Sequence, residues 1–405
     1  MTKTLRALIS NSHVKKFIGF STASFIGILL TYFATFFLNR TLSKEEMGSY
    51  SYVFNLLNLI YPIISLSTSS GYVRFINTYK NDLLIHYVKK FSLISTLFFC
   101  FIIALWFSNY YYLAFASIIL YQERLVLARA KLEILKYNFL NIIQKILFLL
   151  FLFYERKNIS AETALFFLGM SYFISYLMAF IWKENTFSSE SSETEMDKTV
   201  FLKFCAVTML TVIVHWMLTV SDQVIIKYYY GYEALAPYAV AYRIVTILSL
   251  VSGIFLSYYP SVYFKEIATK KVMEVLLLRK YFVLILILAT AGVLIFKNSV
   301  YLVLGAANYI SESGYFLPLL LGEMCRIVAS VLMTYLTFKL QQTYILISMF
   351  TIAVLNIVLN IILVPYWGPL AAAYCTLICF ILYLGVSFLV SYIPERRYIM
   401  TEVLG

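Results

Sequence analysis

The chain has 405 residues, 62% of them hydrophobic and only 13% charged, and its mean hydropathy is +0.83. These proportions exclude an ordinary water-soluble core and make a lipid bilayer the solvent. The net charge of +12 reads as a topology signal, with Lys and Arg flanking the apolar runs and touching anionic lipid, so no nucleic-acid role is expected.

Backbone groups in hydrocarbon must bond internally, which leaves helices of about 20 residues or closed barrels of ~10-residue alternating strands. The apolar runs here are long and unalternating. They predict an all-α polytopic membrane protein of twelve spans: 17 to 38, 47 to 73, 90 to 107, 110 to 128, 137 to 154, 161 to 182, 201 to 226, 235 to 262, 281 to 296, 315 to 338, 343 to 364 and 368 to 392. The first follows Lys3, Arg6, Lys15 and Lys16 like a signal peptide, but its length and the missing small-residue cleavage site make it a retained helix. Gln122, Glu123 and Arg124 interrupt the end of the fourth, and the ninth is short.

If the N-terminus, the even-to-odd loops and the C-terminus share one side, that side, with Lys90, Arg124 and Lys203 near the adjoining span ends counted in, holds 23 of the 32 Lys and Arg, against 6 opposite and 3 deeper inside helices. Both termini are therefore expected in the cytoplasm. The most polar segment, 183 to 198, contains four serines among acidic residues. It marks a cytoplasmic linker, 183 to 200, between an N-terminal six-helix lobe, 1 to 182, and a C-terminal one, 201 to 405. An offset of 188 residues places Glu45 on Glu233, Gly48 on Ala236 and Tyr50 on Tyr238. This faint duplication suits parallel repeats around a central cavity.

Cys100, Cys205, Cys325, Cys375 and Cys379 all fall in expected helices without a CxxC pair, so they read as packing residues, and no metal site is expected. There is no G-x-x-x-x-G-K-[ST] phosphate loop and no loop long enough for a nucleotide domain. No cofactor and no enzyme activity are expected.

Three segments carry a family resemblance: 42 to 75 (LSKEEMGSYSYVFNLLNLIYPIISLSTSSGYVRF), 221 to 247 (SDQVIIKYYYGYEALAPYAVAYRIVTI) and 356 to 377 (NIVLNIILVPYWGPLAAAYCTL). They resemble the signatures of Wzx-type flippases of O-antigen and capsule repeat units, in the multidrug/oligosaccharidyl-lipid/polysaccharide (MOP) exporter superfamily. The pattern departs at Ala236 and Pro237, and again at Leu370, where a Gly is common in the family. The resemblance implies a MATE-like fold in the bacterial cytoplasmic membrane and, as substrate, an undecaprenyl-pyrophosphate-linked oligosaccharide carried to the outer leaflet. A polysaccharide polymerase and a chain-length regulator are the partners it implies.

A diphosphate headgroup needs a cationic path, and ionisable residues inside a membrane are functional suspects. Lys145, His215, Asp222, Arg243, Glu323 and Arg326 lie within the expected spans, and Arg40 and Arg74 at span ends. If the tenth span starts outside near Tyr315, Arg326 is about 16 Å deep. Arg326 and Arg243 are the first candidates for phosphate, because a guanidinium fork makes paired bonds to its oxygens. Lys145, Arg40 and Arg74 complete a ladder of cations. Structural readings stand beside these. Glu323 and Arg326, three apart, can neutralise each other, Asp222 can pair with Arg243, Lys145 can snorkel, and His215 can either couple protons or pack.

A drug/cation antiporter of the same superfamily is the nearest alternative and would need an anionic cavity. A membrane glycosyltransferase or polymerase would need carboxylates on a large outer loop. The longest one expected, 297 to 314, holds Glu312 alone.

Overall fold

The computed structural model describes residues 12–76, 81–106, 110–131, 133–156, 158–181, 196–268, 272–339 and 341–403. Among them there is no strand, and the described part of each expected span is largely helical. By length and apolar composition, seven of the described helices can cross a membrane, or nine if each of two bent pairs is one span. The lower number arises partly because one 48-residue helix merges two expected spans.

The first expected span lies in α1 (Ser12–Thr41), and α2 (Lys44–Ile64) begins at a capping box. Glu46 N–H donates to Ser43 Oγ at 3.2 Å, and Ser43 N–H donates to the Glu46 carboxylate at 3.1 Å. The second expected span is not one straight helix. Pro62 carries no N–H to extend the ladder, and the chain turns through Leu66 and Ser67, both left-handed at φ 48° and 49°. α3 (Thr68–Phe75) then leaves at 52° to α2. Backbone groups freed by such a break must find partners in lipid. Ser67 N–H donates to Pro62 O at 3.1 Å, and Ser95 Oγ of α4 (Asn81–Trp106) donates to Ile64 O at 3.1 Å.

The fourth expected span opens as a 3-10 segment, Tyr110–Ser117, before α5 (Ile118–Ala130). α7 (Ala161–Met178) crosses this segment so closely that a Cβ on Gly169 would lie 2.3 Å from the Ala114 carbonyl carbon. Ser117 Oγ donates to Gly169 O at 2.8 Å across the crossing. Glu123 and Arg124 do not end α5. Both are buried, with Arg124 stacked 4.5 Å above Phe180. α6 (Ile134–Tyr154) packs on α1 and α7.

α8 (Lys198–Val245) turns at Gly231, whose φ of 78° suits a residue without Cβ. α9 (Ile247–Ala268) and α10 (Val272–Ile295) follow, and α11 (Lys297–Val303) bends away from α10 by 75°. The expected outer loop therefore starts as helix. α12 (Phe316–Leu332), α13 (Thr334–Phe338), α14 (Gln342–Trp367) and α15 (Pro369–Ser387) complete the bundle. Helix runs on past the expected end at 392 through α16 (Ile393–Tyr398), because Glu395 is buried and bonded to Arg279 Nη1 at 2.6 Å and Tyr263 Oη at 2.8 Å.

Packing divides the chain into two compact units, Met1–Glu46 with Val53–Ile213, and Met47–Tyr52 with Val214–Gly405. The expected linker lies outside the described residues as far as 195. The start of α8 belongs to the first unit, where Phe201 and Cys205 join a core with Tyr72, Leu84, Val88 and Leu127. Gly71 permits that approach, since a Cβ would stand 2.5 Å from Cys205 Sγ. Small residues that let helices close on each other suit lipid, where packing rather than water expulsion drives association. In the second unit, α12 packs along α15, and Cys375 and Cys379 are both buried.

Candidate functional site

Of the charges expected inside the spans, Glu323 with Arg326, Asp222 and Lys145 mark three polar settings, two in the second unit and one in the first, and Arg243 lies apart from all three. On α12, residues three apart face the same way, and Glu323 and Arg326 form a closed pair. Arg326 Nε donates to Glu323 Oε2 at 2.8 Å and Nη2 to Oε1 at 2.6 Å. Nη2 also donates to Ser249 Oγ at 2.7 Å, while the Ser249 hydroxyl donates to Glu323. Glu323 is 3% exposed. This arrangement is the mutual neutralisation that the spacing permits, and it leaves Arg326 with a fixed partner. His215 on α8 is exposed and stands within electrostatic reach of the pair.

The second place surrounds Asp222, 1% exposed on α8. The expected alternative of a bridge to Arg243 is not formed. Asp222 Oδ1 accepts the Gln223 N–H at 2.8 Å, and Oδ2 accepts the Tyr238 hydroxyl and, at 3.2 Å, the Thr376 hydroxyl. The cage extends through Asn356, whose Nδ2 donates to Thr376 Oγ1 at 3.4 Å and whose Oδ1 accepts Ser221 Oγ at 3.3 Å and Asn360 Nδ2 at 3.1 Å. Asn360 Oδ1 is buried without a hydrogen-bond partner among the described residues. A carboxylate amid neutral oxygens, with an acceptor to spare, can hold a proton or a small hard cation. Arg243, half-buried, instead donates to Ser51 Oγ at 3.4 Å and lies 5.7 Å over the Tyr50 ring.

The third place is in the first unit. Lys145 on α6 donates to Asn141 Oδ1 at 2.6 Å and to Asn141 O at 3.2 Å, one turn back. No carboxylate reaches it among the described residues. Gly27 of α1 faces it so closely that a Cβ would meet the Lys145 stem at 3.2 Å. Arg40 is exposed and stacks 4.7 Å over Phe36, and Arg74 is exposed at the end of α3. The structure thus joins Glu323 with Arg326 and keeps Asp222, Arg243 and Lys145 in separate polar settings.

Sequence reasoning over charges missed Ser249, Tyr238, Thr376 and Asn141, which are neutral and complete the sites. Asn356 and Asn360 carried a signal in their spacing of four within an apolar run, since polar side chains there must bond to one another or to a neighbouring helix. Gly27 carried none.

No family model matches the chain, and no curated protein matches it in sequence. Solved structures do match it. An inward-facing multidrug resistance MATE family transporter of the MOP superfamily superposes with a TM-score of 0.75 over 93% of this chain and 96% of its own, at 13% identity. The fold is that of the MOP-superfamily transporters. The lipid II flippase MurJ, in an inward closed conformation, gives a TM-score of 0.69 over 92% of this chain and 87% of its own, at 15% identity. A MOP-superfamily transporter from Pyrococcus furiosus, described as having a binding pocket of reversed polarity, gives 0.62 over 96% of both chains at 14% identity.

Proposed function

We propose that the protein is a flippase that carries an undecaprenyl-pyrophosphate-linked oligosaccharide repeat unit from the cytoplasmic to the outer leaflet by alternating access. It would serve O-antigen or capsule assembly in the bacterial cytoplasmic membrane, with both termini in the cytoplasm and a polymerase and chain-length regulator as partners. The observation that carries this reading is the state of Lys145. An ammonium group within an apolar helix, bonded only to a neutral asparagine among the described residues, is suited to a mobile anion. The acidic residues are not similarly available. Glu323 is tied to Arg326, and Asp222 is 1% exposed inside its cage. A cationic drug would find no open carboxylate at either, which disfavours the antiporter reading.

Passage of about two negative charges outward runs with an inside-negative potential, by roughly 2.3 kcal/mol per charge per 100 mV. Asp222 is the group best placed to couple a proton or small cation in addition. In a deletion strain, undecaprenyl-linked repeat units should accumulate on the cytoplasmic face and return to normal on complementation. Unchanged repeat-unit distribution in that strain refutes the proposal.

A further inference from the structure

Two lysines, a histidine and an apolar track meet in the first unit, away from the charges already described. A groove of about 640 Å³ lies between α4 and the start of α8, and His86, Lys90 and Lys198 line its polar side. This volume is in the range of small-molecule sites. His86 and Lys90 are one helical turn apart, and none of the three has a hydrogen bond or ion pair among the described residues. Asp197, the described acid beside Lys198, caps the helix start: its Oδ1 accepts the N–H groups of Thr199 and Val200 at 2.9 and 3.2 Å, and it forms no ion pair with Lys198.

The floor is rigid. Tyr87 meets Phe201 edge-on at 5.7 Å and stacks on Phe91 at 6.3 Å, over the core of Tyr72, Leu84 and Cys205. From the groove, α4 continues with an exposed apolar face through Ile94, Leu97, Phe98 and Phe101. The Lys and Arg distribution assigns the groove end of these helices to the cytoplasm.

We infer that this groove binds an anionic phospholipid of the cytoplasmic leaflet, its phosphate between Lys90 and Lys198 and an acyl chain along α4. Cations at the mouth above an apolar track match the amphipathy of such a lipid, and basic recesses between helices on this side attract anionic headgroups. The lining favours a phospholipid over a glycolipid. Among the described lining residues, Tyr87 alone presents a hydroxyl, and none presents an amide or carboxylate side chain to hold sugar hydroxyls.

The test is lipid titration of the purified full-length protein, read by native mass spectrometry, with phosphatidylglycerol and phosphatidylcholine as probes. Wild type should bind phosphatidylglycerol at least about tenfold more tightly, the preference expected from one or two juxtamembrane cations. The double variant K90Q/K198Q should lose about 30-fold in phosphatidylglycerol affinity. Its unfolding curve should match wild type, and K280Q, at an exposed lysine of α10, should leave binding unchanged. Equal binding of the two lipids by wild type, or undiminished phosphatidylglycerol binding by K90Q/K198Q, overturns the inference. So does displacement of phosphatidylglycerol by undecaprenyl diphosphate at lower concentration, in a manner lost with both lysines, which would make the groove a substrate site.

Discussion

Arg326 can be either a phosphate ligand or half of a buried ion pair, and stability measurements separate the two. Its guanidinium makes bonds of 2.6 and 2.8 Å to Glu323 and one of 2.7 Å to Ser249, and its side chain is 18% exposed against 4% for Glu323. Removing one member strands the other charge with little water to replace it, a loss of roughly 3–5 kcal/mol. E323A and R326A should each lose that much. The double replacement E323L/R326M, which removes both charges and keeps volume, should cost no more than about 1 kcal/mol, because the desolvation penalty of both ions disappears with their attraction. The assay is reversible unfolding in mixed micelles with increasing dodecyl sulfate, followed by helical circular dichroism, for wild type, both single variants and the double. Single variants within about 1 kcal/mol of wild type, or a double variant whose loss equals the sum of the singles, would refute the reasoning. In that case Arg326 would regain its standing as an independent cation for the substrate.

Lys145 should behave in the opposite way: K145A should abolish export at normal membrane abundance, K145R should restore it in part, and export by K145A at the wild-type rate would remove this lysine from the mechanism. At Asp222, D222N keeps an oxygen for the Tyr238 and Thr376 hydroxyls whereas D222L does not, so D222L should unfold about 1–3 kcal/mol more easily than D222N in the same titration. G169A should destabilise by about 1–3 kcal/mol, since the obstructing atoms, 2.3 and 2.5 Å away, are backbone of Ala114 and Phe115 and cannot rotate aside. Wild-type thermal stability in G169A would show that this crossing is loose. Export in vesicles with a membrane potential but no ion gradients should persist if the potential suffices, and its loss would make an accompanying ion obligatory.

The positions of the helices were legible in the sequence because hydrocarbon imposes one local rule: a long apolar run must satisfy its own backbone as helix. The spacing of Glu323 and Arg326 was likewise enough to raise their pairing. The breaks within spans depended on tertiary contacts. The turn at Leu66 and Ser67 is sustained by Ser95 on another helix, and the 3-10 segment at Tyr110–Ser117 by the crossing at Gly169. The same holds for the charges. Asp222 and Arg243 are both ionisable and lie on either side of the turn at Gly231, yet their partners are Tyr238, Thr376 and Ser51, which no spacing rule selects. Composition and periodicity decide what must be buried in lipid. Which polar atom meets which depends on side chains brought from 16 to 192 residues away, and only the folded packing of helices does that.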